Sequence, residues 1–204
     1  MNERRQQLIS AAIRVFASRG FRGATTREIA LAAGVTEAVI FQHFPDKDAL
    51  YAAILEHKAQ QQLANDWMAE LHEHAKTDDA ETLLRTLYTG IICQHERDPD
   101  FVRLTMYSAL ERHPLSRQLL ADGVRLYDCL HGFVLRGQKA GWIRPGRPEV
   151  LVRAMLALPI YYVLQRQVFG TPWPAASPED LIETGVTFAL AGLMNQTVAR
   201  KEAV

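Results

Sequence analysis

Only two cysteines, Cys93 and Cys129, occur in the 204 residues. Both sit in apolar helical text, too few and too dispersed for a disulfide scaffold, and they read as reduced packing residues. No apolar run reaches the roughly eighteen residues that a membrane span needs. No signal peptide opens the chain, because residues 4–7 are polar and the helix that follows is amphipathic. The cytoplasm is therefore the predicted location, with no membrane partner. Net charge is lacking too: Lys and Arg number 23, as do Asp and Glu. Residues 1–50 hold seven Lys/Arg against five acids, so nucleic-acid binding there must rest on geometry and a few placed cations. The common catalytic signatures are missing: no zincin motif, no phosphate loop, no nucleophile elbow. The histidines are scattered, and His72 and His74, two apart, face different sides of a helix. No catalytic residue, metal site or cofactor is expected, and an enzyme is disfavoured.

What is present is helical periodicity from end to end, with no strand-like alternation and no repeat. Hydrophobic content of 48% and charge of 23% suit an ordinary globular chain. Residues 3–19 read as an amphipathic helix, with Leu8, Ala12, Val15 and Phe16 in one stripe and Ile9 and Ile13 beside it. Gly20-Phe21 reads as its stop. Asp46 caps a helix predicted to run from about Lys47 to about His72. After a polar break at 77–80 comes a helix with Leu83, Leu84, Leu87, Ile91 and Ile92 inward, ended by Arg97-Asp98-Pro99. Another runs from about Pro99 to Arg112, closed by His113-Pro114. A long one spans about Leu115 to Ala140, stopped by Gly141. Pro148 starts the next, through about Phe169, with a kink predicted at Pro159. A loop over 170–177 leads to Ser177-Pro178-Glu179-Asp180, a cap, a proline and dipole-matched acids opening the last helix. The expected fold class is all-α, with about nine helices.

The most informative stretch is 25–44, TTREIALAAGVTEAVIFQHF. Thr25 and Glu28 form a capping box; Ile29, Ala30 and Ala33 recur at helical spacing; Gly34 suits a sharp turn needing positive φ. Thr36 is placed to cap a second short helix, which Pro45 stops. Two helices joined so tightly make a helix-turn-helix, the unit that lays a short helix in the DNA major groove. Val35 and Ile40 wedge between them. Thr36, Glu37, Phe41, Gln42 and His43 then face outward as readers: Gln suits adenine edges, a carboxylate accepts from cytosine N4, apolar groups meet the thymine methyl. Thr25, Thr26, Arg27 and Ala38 complete the candidate DNA surface. Lys47, at the start of the following helix, is a candidate phosphate clamp, and Arg4 and Arg5 read equally as phosphate contacts or as exposed, solvated arginines.

With its flanks, this segment resembles the TetR (tetracycline-repressor) family of bacterial transcription regulators. The matching text runs from about Arg4 to Ile54: LISAAIRVFASRG, then F-x-G-A-T-T-x-x-I-A, then A-G-V-T, then F-Q-H-F-P-D-K-D-A-L-Y. The aromatic–x–His–Phe–x–x–Lys spacing is its most specific part. Glu37 stands where family members often carry a basic or small residue, and Gln42 where they often carry an aromatic; both bear on the preferred base sequence. The resemblance implies a DNA-binding head over 1–50 and a helical effector-binding and dimerisation body over 51–204. It implies a homodimer on a double-stranded, palindromic operator, with repression as the usual mode. Leu181, Gly185, Ala189 and Gly192 on the last helix are the expected dimer interface. It also implies a small-molecule effector among the middle helices. Candidate lining residues are Trp67, Tyr88, Met106, Tyr107, Leu110, Phe133, Met155, Tyr161 and Tyr162, an apolar and aromatic set. Arg103 and His95 are further candidates for meeting a carboxylate. The competing reading is a helical small-molecule binder that does not recognise DNA sequence.

Overall fold

The computed structural model describes residues 3–63, 67–114, 116–119, 121–170 and 176–195. Among them the regular structure is all α-helical: α1 Glu3–Gly23, α2 Thr26–Ala33, α3 Glu37–His43, α4 Lys47–Leu63, α5 Trp67–His74, α6 Ala80–Arg97, α7 Pro99–Leu110, α8 Ser116–Leu119, α9 Ala121–Ala140, α10 Pro148–Leu164 and α11 Pro178–Leu193. A π turn, Gln165–Phe169, extends α10. One isolated bridge, Ile143 to Met194, ties the α9–α10 connector to the end of α11. No helix among the described residues is long and apolar enough to cross a membrane.

Most helix ends follow from their local chemistry. Asp46 accepts from Ala49 N at 2.7 Å at the start of α4. Asp98 accepts from Phe101 N ahead of Pro99, and Ser177 from Asp180 N ahead of Pro178. Gly141 leaves α9 at φ 89°, a backbone that favours glycine. α1 breaks at the stop expected at Gly20-Phe21: Gly20 takes φ 72° and ψ 174°, and one further turn follows. Of the single helix expected from Lys47 to about His72, Lys47–Leu63 (α4) and Trp67–His74 (α5) are helical, and residues 64–66 lie outside the described residues. Likewise, the helix expected from about Leu115 is described as α8 and α9, with Leu115 and Leu120 outside. Of the 170–177 loop, 171–175 lie outside. α10 stays helical through the buried Pro159.

The chain divides into two compact units, residues 1–65 with 98–121, and residues 66–97 with 122–204. The first is built on the apolar stripe of α1. Leu8, Ile9, Phe16, Ile29, Ile40, Phe44, Leu50, Tyr51, Ile54 and Leu104 form one buried cluster. A head cut at residue 50 would lose Tyr51, Ile54 and Leu104 from that core. α7 packs along α1, and the Tyr51 hydroxyl pairs with that of Ser108 in the interior. Burial pushes the Tyr51 phenol up. His113 is buried edge-on to Phe21, centroids 4.4 Å apart, and burial pulls its imidazole pKa down.

The second unit packs α6 against α5, α10 and α11. Leu83, Leu84, Leu87, Ile91 and Ile92 are buried on α6, as its spacing predicts, and Tyr88 is buried with them. Trp67 lies over Gly90, and its indole donates to Gln94 Oε1 at 2.6 Å. α11 approaches α6 closely because Gly185 carries no side chain: a Cβ there would stand 2.6 Å from the Tyr88 ring and 2.8 Å from Leu158 Cδ2. Burial pushes the Tyr88 phenol up to about 12.

Candidate nucleic-acid interface

The 25–44 stretch forms the predicted pair of short helices. Thr25, extended at φ −112°, accepts from Glu28 N through its hydroxyl. Glu28 returns the bond to Thr25 N at 3.0 Å. That amide and the Thr25 hydroxyl, with Arg19 adding a weaker pull, hold the Glu28 carboxyl below the usual range. Gly34 closes α2 in the left-handed region at φ 67°, and Val35 N donates to Ala30 O at 3.0 Å across the turn. From α1, Gln7 Nε2 donates to Ala33 O at 2.8 Å, satisfying one of the carbonyls a helix end leaves orphaned.

α3 rides on this frame. Ile40 beneath it is 0% exposed and Phe44 at its end 2%. Phe41 on the other face is 50% exposed, and Thr36, Ala38 and Gln42 are exposed with it. His43 is half-buried, 6.5 Å from Phe44 between ring centroids. Thr25 and Arg27 are exposed and Thr26 half-buried at the start of α2. The candidate readers of α2 and α3 are thus exposed or half-buried, while Ile40 and Phe44 anchor α3 from beneath.

Two expectations need correction, those for Thr36 and Lys47. Thr36 occupies the cap position of α3 but its hydroxyl makes no cap bond. Glu37, read as an outward-facing reader, is half-buried and accepts from Thr26 Oγ1 at 2.6 Å. Lys47 is not a free cation aimed at phosphate. Its ammonium donates to Phe21 O at 2.8 Å and Ala24 O at 3.0 Å and sits 4.4 Å from the Phe21 ring centroid. It staples the broken end of α1 to the start of α2. Lys47→Met is expected to cost about 2 kcal/mol in urea unfolding, since bonds from a charged donor are worth more than neutral ones. The salt dependence of DNA affinity should stay near the parent's. A log–log salt slope shallower by about one would put Lys47 back on a phosphate.

Two supports escaped sequence reasoning because they join distant segments. The Glu111 carboxylate accepts from Phe21 N at 3.0 Å and Arg22 N at 3.2 Å, holding the α1 break. Arg5 lies 5.1 Å from the Phe44 centroid, a cation–π contact from an arginine read equally as a phosphate contact or a solvated side chain.

The residues proposed for an effector are divided between the two units. Trp67, Tyr88, Phe133, Met155, Tyr161 and Tyr162 belong to the second unit, and Met106, Tyr107 and Leu110 to the first. Tyr88, Phe133, Met155 and Tyr162 are buried; Tyr161 and Leu110 are exposed. Tyr162 accepts from Arg166 Nη1 at 3.1 Å, and Arg166 also faces Glu96 at 3.8 Å. Arg103 is exposed, and His95 is half-buried with Nδ1 against Ile91 O. Among the described residues, no three His, Cys, Asp or Glu cluster in a way that could hold a metal ion.

On the last helix, Gly185 is buried within its own chain, Leu181 and Ala189 are half-buried, and Gly192 is exposed. The close approach expected of Gly185 with a second copy is made instead to Tyr88 and Leu158. The large apolar residue left outside is Phe188, 77% exposed. On α10, Ile160 and Tyr161 are also exposed, with Ala154 and Ala157 on the turns before them.

Residues 8–54 match the family model of bacterial regulatory proteins, tetR family. The chain is 27% identical over 200 residues to the HTH-type transcriptional regulator RutR of Escherichia coli, covering 97% of this chain and 86% of RutR. It is 27% identical over 185 residues to the HTH-type transcriptional repressor Rv1474c of Mycobacterium tuberculosis, covering 90% and 92%. Its fold is similar to that of AibR, solved in complex with isovaleryl coenzyme A and operator DNA: TM-score 0.68 at 20% identity, covering 91% of this chain and 97% of that one.

Proposed function

We propose, from the premise that this chain belongs to the TetR family of transcriptional regulators, that it is a dimeric repressor released from a palindromic operator by a small, mainly apolar effector. The observation that carries the reading is α3: exposed along one face, with Ile40 wholly buried beneath it. A short helix so anchored can enter the major groove without unfolding its support. Residues 1–50 supply the DNA surface, and 51–204 the effector and dimer functions.

A second copy of the chain is the natural cover for the outer faces of α10 and α11. Phe188, Ile160 and Tyr161 supply apolar area, while Ala154, Ala157 and Gly192 permit close approach. Twofold association sets two α3 helices against half-sites one duplex turn apart, about 34–36 Å. The buried aromatic and Met residues of the second unit, Tyr88, Phe133, Met155 and Tyr162, favour an apolar effector. Effector acts only through its difference in affinity between the DNA-bound and released conformations. The reading places the protein in the cytoplasm, without catalytic activity.

A gel-shift titration against duplex DNA flanking its own coding sequence tests this. Retardation that survives excess random-sequence competitor is the expected result. If no flanking duplex is preferred over random DNA, the chain is a helical small-molecule binder instead.

A further inference from the structure

We infer that Glu37, held by Thr26, is the specificity-determining residue of each half-site and that it selects a cytosine. The inference rests on the operator-binding reading above. Glu37 is the first residue of α3, and the N-terminal residues of a recognition helix are those that meet base edges. Thr26 is the first residue of α2, so the bond from its Oγ1 to Glu37 Oε1, 2.6 Å, joins the two helix starts. A surface glutamate normally sweeps several rotamers. This one is half-buried and has one oxygen fixed, which aims the other.

An ionised carboxylate accepts hydrogen bonds and donates none. In the major groove, guanine shows two acceptors and thymine one, and all of them repel it. Cytosine N4 offers a donor alone, whereas adenine sets an acceptor beside its donor. Phosphates on either side add a repulsion that no salt bridge to Glu37 relieves among the described residues. The group therefore works chiefly by exclusion: it lowers affinity wherever no amino group faces it. Among the described residues no hydrogen bond from α2 fixes Thr36 or Gln42, so positions they face should tolerate more bases.

Selection from random duplexes tests this with the full-length protein. The wild type is expected to enrich one cytosine per half-site, with about tenfold or greater loss when it is replaced. Glu37→Gln should move that preference to adenine, which an amide pairs bidentately. Glu37→Ala should erase it while raising affinity for random DNA. Thr26→Val should blunt the preference, and Thr26→Ser, which keeps the hydroxyl, should restore it. Identical enriched sites for wild type and Glu37→Ala would overturn the inference while leaving operator binding intact. No enriched site for the wild type would overturn the functional reading itself, and this inference with it.

Discussion

Phe188→Glu is expected to leave the chain folded but monomeric, and to lower operator affinity by about 10²–10⁴-fold, the avidity that two linked heads supply. Phe188 is 77% exposed on the helix nearest the C-terminus, so its replacement costs the isolated chain little. At a twofold interface the substitution acts twice, burying a carboxylate against apolar area on each side. Circular dichroism should be unchanged, and equilibrium sedimentation at micromolar concentration should report a single chain mass. Gly185→Val is the control that separates interface from core. Its side chain has no room beside Tyr88 and Leu158, so overpacking should destabilise the fold by about 1–3 kcal/mol while dimerisation of the folded fraction persists. A Phe188→Glu protein that sediments as a dimer would remove α11 from the interface.

Ile40→Ala is expected to destabilise the head by about 2–5 kcal/mol, the range for emptying a filled aliphatic site, and to abolish specific DNA binding. Ile40 is 0% exposed and belongs to the cluster of Leu8, Phe16, Ile29 and Tyr51. It is also the only residue of the seven in α3 that is buried. An isolated helix that short does not hold in water, so α3 persists because Ile40 is seated. Gln42→Ala, two residues on and exposed, removes no packing. Its stability should stay within about 0.5 kcal/mol of the parent, with the loss confined to sequence preference. Urea unfolding and competition binding on the two variants separate scaffold from reader. Equal stability losses at positions 40 and 42 would contradict this division.

Much of the head was legible in the sequence because its determinants are local. The Thr25–Glu28 capping box, positive φ at Gly34 and the buried stripe of α1 each depend on residues within one or two turns. Caps and prolines likewise located α7, α10 and α11. What escaped depends on partners far apart in the chain. Lys47 looked like a phosphate ligand because it opens a helix after a proline, yet carbonyls 26 and 23 residues earlier take its donors. Glu111 stabilises a break 90 residues before it. Gly185 carries the same lesson: a small residue on a helix permits close approach but does not say to which helix. Tyr88, on α6, turned out to occupy the space at Gly185.

α3 is the surface proposed to meet the bases. Replacing Phe41 with a photoreactive benzophenone amino acid and irradiating the protein on its operator duplex tests this directly. Adducts should map to bases inside the protected half-sites, and the same probe at Val150, exposed on α10, should give none. A protein that binds the duplex tightly yet crosslinks from position 150 and not from 41 would contradict it.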